Sequence, residues 1–187
     1  MNAHEINIWW LFGFALLGRL LDIFSTWLAS PTLKLEGNGF IRRFGWPYAL
    51  LTILAAFLTF VQPGFGVIIG TVSYILAFSN MRSAMMVRYA GGEDALLDLI
   101  RKNASFKLSR SLIDTFVLPL PMLMLAAPLF ATYGISSNGI GTYIADGIIV
   151  YVFVITFHKL FQLLRYYWRR YSQRMSLRNS SKPSVSK

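Results

Sequence analysis

The sequence predicts an all-α, polytopic transmembrane helical bundle with about five spans. Two observations predict this fold class. The chain is 55% hydrophobic and only 14% charged, with a mean hydropathy of +0.51, whereas a soluble domain carries about 25% charged residues. Most of the charges also lie between long apolar runs. Lipid imposes this distribution, because an unpaired charge in hydrocarbon costs roughly 3 kcal/mol or more.

Five apolar runs have lengths that approach or exceed what is needed to cross a hydrocarbon core of about 30 Å. They cover about 6–29, 46–62, 65–87, 111–133 and 142–164. The second run is short for a full crossing, so a tilted or re-entrant path stays open. The fourth run contains Pro119, Pro121 and Pro128, which predict a bent or interrupted helix because proline removes a backbone hydrogen bond.

Between the third and fourth runs, Gly91-Gly92 breaks the chain and an amphipathic segment follows at about 93–102. Glu93 and Asp94 suit the first turn of a helix. Its apolar residues repeat on one side, which favours a helix on the membrane surface, although a solvated loop helix stays open. We therefore expect a transmembrane domain over 1–166 and a basic, partly disordered tail over 167–187.

The basic residues alternate between connections and predict the orientation. The first loop carries Lys34, Arg42 and Arg43. The third loop carries Arg88, Arg101, Lys102, Lys107 and Arg110. The tail from Arg165 carries seven Lys or Arg and no acid, whereas the other two loops and the N-terminal stub carry no Lys or Arg. By the positive-inside rule the N-terminus lies outside and the C-terminus in the cytoplasm.

The formal charge of +10 identifies the expected partners. Because the positive charges flank apolar runs, membrane topology explains them, and we expect no nucleic-acid partner. The basic loops and tail would face anionic lipids of the phospholipid bilayer. The chain contains no cysteine, which excludes disulfides and cysteine-ligated metal sites.

Gly66, Gly70, Ser73 and Ala77 give the third run one face of small residues, which lets helix backbones approach closely in a membrane. We expect this face to pack within the chain. A seam between copies of the chain, formed by Gly66 and Gly70 in a homo-oligomer, is the alternative.

Ionisable side chains from four predicted spans fall in the same cytoplasmic half of the bilayer: Arg19, Asp22, Arg82, Asp114 and His158. In the first span, Arg19, Asp22, Ser25 and Thr26 are spaced three or four residues apart, so they share a helix face. A charge at this depth must be paired, and it marks a functional site by default. The alternative is that Arg19 or Arg82 pairs with Asp22 only to hold helices together.

The segment from Arg19 to Trp46 carries Asp22-x-x-x-Thr26, then Glu36-x-Asn38-Gly39. It resembles prokaryotic multi-pass membrane-protein families, of uncharacterised function, that have an Asp-x-x-x-Thr motif followed by Glu-x-Asn-Pro. This chain departs from the pattern at Gly39, where the family has proline. The resemblance implies a prokaryotic cytoplasmic (inner) membrane and the same site residues, and it implies no activity.

The resulting candidate ligand-binding residues are Arg19, Asp22, Ser25, Thr26, Glu36, Asn38, Arg82 and His158. Oxygen ligands from Asp22, Glu36 and Asn38 would suit a hard cation, whereas the arginines would suit a phosphate. We expect a non-enzymatic subunit or accessory factor whose cytoplasmic-side pocket binds a lipid headgroup, an ion or a small polar ligand. The alternatives are a membrane-embedded enzyme acting on a lipid-linked substrate and a small oligomeric transporter.

Overall fold

The structure is a computed structural model that describes residues 6–35, 39–103, 117, 119–133 and 139–180. This part of the chain is helical and has no β-strand, which confirms the all-α prediction. Three of its helices are long and apolar enough to cross a membrane: Ile8–Ala29, Pro63–Ala90 and the Ile140–Phe161 part of the last helix. Two shorter apolar helices cover Trp46–Phe60 and Leu120–Tyr133.

The elements in chain order are α1 (Ile8–Ala29), α2 (Gly39–Phe44), α3 (Trp46–Leu51), a 3-10 helix (Thr52–Phe60), α4 (Pro63–Ala90), α5 (Glu93–Asn103), α6 (Leu120–Tyr133) and α7 (Ile140–Ser180). Their boundaries follow local chemistry. The Asn7 side chain caps α1 by accepting a hydrogen bond from the Trp9 N–H, at 3.0 Å. Pro63 opens α4, where its missing N–H is not needed. Gly91 ends α4 with a φ of 88°, a conformation that glycine adopts without a Cβ clash.

The main packing interface joins α1 and α4, which run parallel. The buried positions of α1 recur every three or four residues and form one stripe: Leu11, Ala15, Gly18, Asp22, Ser25 and Ala29. A Cβ at Gly66 would lie 3.2 Å from the Leu11 carbonyl, and a Cβ at Gly18 would lie 3.2 Å from the Gly70 carbonyl. The small residues thus let the two backbones approach closely.

The segment formed by α3 and the 3-10 helix runs antiparallel to α1 along nearly its whole length. At one end, the Trp46 indole donates a hydrogen bond to the Pro31 carbonyl, at 3.1 Å. At the other end, the Phe60 ring lies 5.2 Å from the Trp9 ring. Between them the Arg19 side chain bonds to Thr52. The segment therefore returns the chain to the end where α1 began.

On its other side, α4 packs against α7, again in parallel. The Tyr143 ring fills the space beside Gly64, and Thr71 fills the space beside Gly147. Helix α6 runs antiparallel to α7, since Tyr133 lies against Gly141 and Ala126 packs with Ala145 and Ile148. Pro128 lies inside α6. The N-terminal part of the predicted fourth span, including Asp114, lies outside the described residues.

These directions give the described helices two distinct ends. We call the end at Pro31, Trp46 and Gly91 the basic end, because Lys34 and Arg88 lie there. We call the end at Trp9, Gln62 and Gly141 the neutral end. Many large apolar side chains lie exposed on the helices between the two ends; Phe78, for example, is 81% exposed. Lipid is the solvent that accommodates such a surface.

The Gly66–Gly70 face is buried within the chain, against α1 and the 3-10 helix. This is the intramolecular packing that we expected, and a seam between copies would require it to open. Helix α7 continues past the predicted end of the fifth span as far as Ser180. Over 41 residues it is about 62 Å long, roughly twice the thickness of a hydrocarbon core.

Candidate functional site

The Asp22 carboxylate is the centre of a polar network between α1 and α4. Arg19 Nη1 lies 2.9 Å from Asp22 Oδ2. Asn80 Nδ2, from α4, donates to Asp22 Oδ1 at 3.0 Å and to Thr26 Oγ1 at 2.9 Å. Only 15% of the Arg19 side chain and 12% of the Asp22 side chain are exposed. Since an unpaired buried charge is costly, the network stabilises both ionised groups.

The Arg19 guanidinium extends this network to a third segment. Nη2 donates to Thr52 Oγ1, where α3 changes into the 3-10 helix, and Nη1 lies 3.5 Å from Ser73 Oγ on α4. Thr52 Oγ1 in turn donates to the Ala49 carbonyl, at 2.5 Å. One guanidinium thereby links α1, α4 and the returning segment. Arg19 Nε is buried without a hydrogen-bond partner among the described atoms.

The structure brings some of the predicted site residues together and leaves others apart. Arg19, Asp22 and Thr26 share the network, but the α4 side chain that reaches Asp22 is Asn80, whereas Arg82 is exposed. Ser25 is buried and donates to the Asp22 backbone carbonyl, at 2.9 Å, within its own helix.

The remaining predicted site residues lie elsewhere. His158 is half-buried on α7, a helix that packs against α4 and α6. Glu36 and Asn38 lie outside the described residues, as does Asp114. The described residues contain no group of three His, Asp or Glu side chains that could hold a metal ion. The cation site that combined Asp22 with Glu36 and Asn38 therefore stays a prediction.

A second polar cluster lies at the basic end, around Glu93. Its carboxylate accepts hydrogen bonds from the Ser30 hydroxyl, the Thr32 hydroxyl at 2.6 Å and the Lys34 N–H at 2.9 Å. Longer bonds come from the N–H groups of Thr32, at 3.4 Å, and Leu35, at 3.3 Å. The first residue of α5 thus holds the loop that follows α1.

The charge of Glu93 is central to this contact. Partial burial acts to raise the pKa of Glu93, but the hydrogen bonds from Ser30, Thr32, Leu35 and Lys34 outweigh it and lower the pKa below its ordinary value. Next to it, Lys34 Nζ lies 2.6 Å from Asp94 Oδ1. This ion pair is largely exposed, so solvent screens it and it contributes little.

Sequence reasoning missed several members of these clusters. None of Asn80, Thr52, Ser73 and Glu93 was among the predicted site residues. Hydroxyl side chains in apolar runs are a weak signal, because they satisfy themselves on their own helix as often as they bridge. The spacing of Asp22 from Asn80 along the chain carries no information about their contact.

The described residues define the class: a helical fold with three helices long and apolar enough to cross a membrane. Two of these helices, α1 and α4, are joined by a buried polar network. Comparison with protein-family models, with curated proteins and with solved structures finds no match. The family resemblance of the Arg19–Trp46 segment stays a prediction, and the function is argued from the residues.

Replacing Arg19 with methionine tests the network. The change removes the bonds to Asp22, Thr52 and Ser73 and leaves the Asp22 charge with Asn80 as its described side-chain donor. We expect the free energy of unfolding to fall by about 2–4 kcal/mol, the range between a broken buried ion pair and a few interhelical hydrogen bonds. Unfolding by SDS in mixed micelles measures this change.

Arg82→Met is the matched control, because it removes the same charge from an exposed position on α4. We expect it to change the free energy of unfolding by less than about 0.5 kcal/mol. Equal losses for the two variants would mean that the network contributes no specific stability.

The low pKa of Glu93 predicts a pH dependence. Because the pKa of Glu93 in the folded protein lies below its ordinary value of 4.5, the Glu93 contacts stabilise the fold at higher pH. Their contribution is lost as the pH falls through the folded pKa. At pH 7 we expect Glu93→Gln to lower the free energy of unfolding by roughly 1–3 kcal/mol, the cost of weakening charge-assisted hydrogen bonds.

Thermal unfolding in detergent, followed from pH 7 to pH 3, measures this difference. The gap between the wild type and Glu93→Gln closes only below about pH 4.5. Asp94→Asn serves as the control and shows a small effect throughout, since its ion pair is exposed. A wild-type advantage that persists unchanged to pH 3 would contradict the assignment.

Proposed function

We propose that the chain is a non-enzymatic integral membrane protein, a subunit or accessory factor that binds a lipid headgroup or other small polar ligand at its cytoplasmic side. In this proposal all five apolar segments cross the bilayer, and the basic end faces the cytoplasm. The observation that carries the proposal is that the five apolar segments alternate in direction along the chain. As a result, the charged loops among the described residues lie at one end of the helices, and the uncharged turns lie at the other.

The crossing of the short second segment is supported by its contacts. Trp46 lies at the Pro31 end of α1 and Phe60 at the Trp9 end. The segment therefore lies beside α1 over the whole length that crosses the bilayer in this proposal. Helix α6 is similarly paired with α7. Positive charges that face the cytoplasm satisfy the positive-inside rule.

Binding of an anionic headgroup is supported by the chemistry of the basic end. Arg42 and Arg43 are exposed in the last turn of α2, directly before Trp46 returns the chain to the apolar region. Guanidinium groups at this level match phosphate oxygens in charge and geometry. We propose that the pocket combines these arginines with the Arg19–Asp22–Asn80 network and with the further predicted residues Thr26, Arg82, His158, Glu36 and Asn38.

Cysteine labelling tests the topology. The chain has no cysteine, so single cysteines at the exposed positions Phe44, Gln62 and Ala95 can be probed with a membrane-impermeant maleimide in intact cells. We expect only Gln62→Cys to react from outside, because the positive-inside rule retains the other two positions in the cytoplasm. Reaction of Phe44→Cys and Gln62→Cys from the same side would show that the second segment does not cross.

Thermal unfolding of the detergent-solubilised protein tests headgroup binding. A ligand that binds only the folded state raises the melting temperature, and we expect short-chain phosphatidylglycerol to raise it by roughly 2–4 °C, the shift that about 1 kcal/mol produces in a chain of this size. Short-chain phosphatidylcholine should produce a smaller shift.

Two single-charge variants locate the contact. Arg42→Gln should reduce the shift by phosphatidylglycerol, whereas Lys159→Gln, which removes one charge from α7, should leave most of it. An equal shift with both lipids would contradict a headgroup site.

Loss of a cellular activity in Asp22→Asn with no loss of folded protein would instead favour the enzyme alternative.

A further inference from the structure

The 3-10 helix Thr52–Phe60 is unusual in its length. It has nine residues, whereas runs of more than three or four are uncommon because the hydrogen-bond geometry is poorer than in an α-helix. Its sequence, TILAAFLTF, contains neither glycine nor proline, so no helix-breaking residue prevents an α-helix here. Outside its own sequence, the segment packs against α1 and α4.

Two of the segment's aromatic contacts with α1 match the rise of a 3-10 helix. From Arg19 back to Phe12, α1 rises about 10 Å at 1.5 Å per residue. In the returning segment the corresponding residues are Thr52 and Phe57. Arg19 bonds to Thr52, and the Phe12 and Phe57 rings lie 5.2 Å apart. Five residues span about 10 Å in a 3-10 helix but only about 7.5 Å in an α-helix.

The next contact along the pair gives the same result. Phe60 lies beside Trp9, with ring centroids 5.2 Å apart. Arg19 to Trp9 rises about 15 Å in α1, and Thr52 to Phe60 rises about 16 Å as a 3-10 helix but about 12 Å as an α-helix. The Phe60 ring also lies 5.0 Å from the Phe12 ring, and this third contact matches the α-helical rise of about 12 Å more closely than the 3-10 rise of about 16 Å. The aromatic contacts are therefore compatible with both lengths of the segment.

The whole segment Trp46–Phe60 is about 27 Å long with its 3-10 part, which approaches the thickness of a hydrocarbon core, and about 22 Å long if it is α-helical throughout. We propose that this segment is a length-adjustable span that responds to bilayer thickness, converting toward an α-helix in a thin membrane and holding the 3-10 form in a thick one. This inference rests on the proposed five-span topology.

The elements around the segment fit such a conversion. Arg19 anchors Thr52 within the buried network, so a change in length falls on the Thr52–Phe60 side. That side ends in an aromatic cluster, Trp9, Phe12, Phe57 and Phe60, whose ring contacts can slide more readily than directional hydrogen bonds. Phe57 and Phe60 are 52% and 40% exposed, so lipid of changing thickness acts on them directly.

Distances between spin labels at Phe44→Cys and Gln62→Cys, measured by double electron–electron resonance in vesicles, test the proposal. The vesicles are made of dimyristoleoyl, dioleoyl or dierucoyl phosphatidylcholine, in order of increasing thickness. We expect the distance to increase by about 4–5 Å from the thinnest to the thickest, the difference between the two helix types over nine residues.

The control pair is Gln62→Cys with Tyr89→Cys, which brackets α4 at two exposed positions. Because α4 is α-helical throughout, this distance should stay within about 1 Å. A constant Phe44–Gln62 distance in all three lipids would overturn the proposal and mean that the protein adapts by tilting. Labelling of the two cysteines from one side of the membrane would instead overturn the topology on which the inference rests.

Discussion

The close approach of α1 and α4 is the contact on which the other contacts depend. At Gly18 and Gly66 a Cβ would lie 3.2 Å from a carbonyl of the facing helix, and Gly70 accommodates the Phe14 ring. The backbones therefore lie near enough for short polar side chains to meet across the interface. Asn80 reaches both Asp22 and Thr26 only because the helices stay close beyond the glycines. In a membrane, where lipid is as apolar as the helices themselves, such packing and hydrogen bonding replace the hydrophobic effect as the forces that join helices.

The polar network gives this interface a defined register. A smooth small-residue seam could slide, but Asp22 finds its partners at one position of α4, and Arg19 finds Thr52 at one position of the returning segment. The network therefore fixes three segments with one buried ion pair. Its members satisfy one another almost completely, which makes the network a structural element of the proposed pocket; the ligand itself would be contacted by residues nearer the basic end.

The Glu93 cluster completes this arrangement outside the apolar region. The loop after α1 would leave several N–H and hydroxyl groups without partners inside the protein, and the Glu93 carboxylate accepts from five donors of that loop. As a result, the basic end of α1 and the start of α5 are held together by one side chain.

The sequence by itself determined the helical class and the apolar segments, because hydrophobic runs are local properties of the chain. The three-residue spacing of Arg19 and Asp22 also placed them on one helix face, and it left Arg19 and Arg82 as alternative partners of Asp22. Only the tertiary structure decided that Asn80 rather than Arg82 meets Asp22, that Thr52 receives Arg19, and that Glu93 holds the loop after α1. These contacts join residues far apart in the chain, and they depend on helix register, which a single sequence does not encode locally. The 3-10 conformation also belongs to the tertiary structure, since no glycine or proline within Thr52–Phe60 requires it and the segment packs against both α1 and α4.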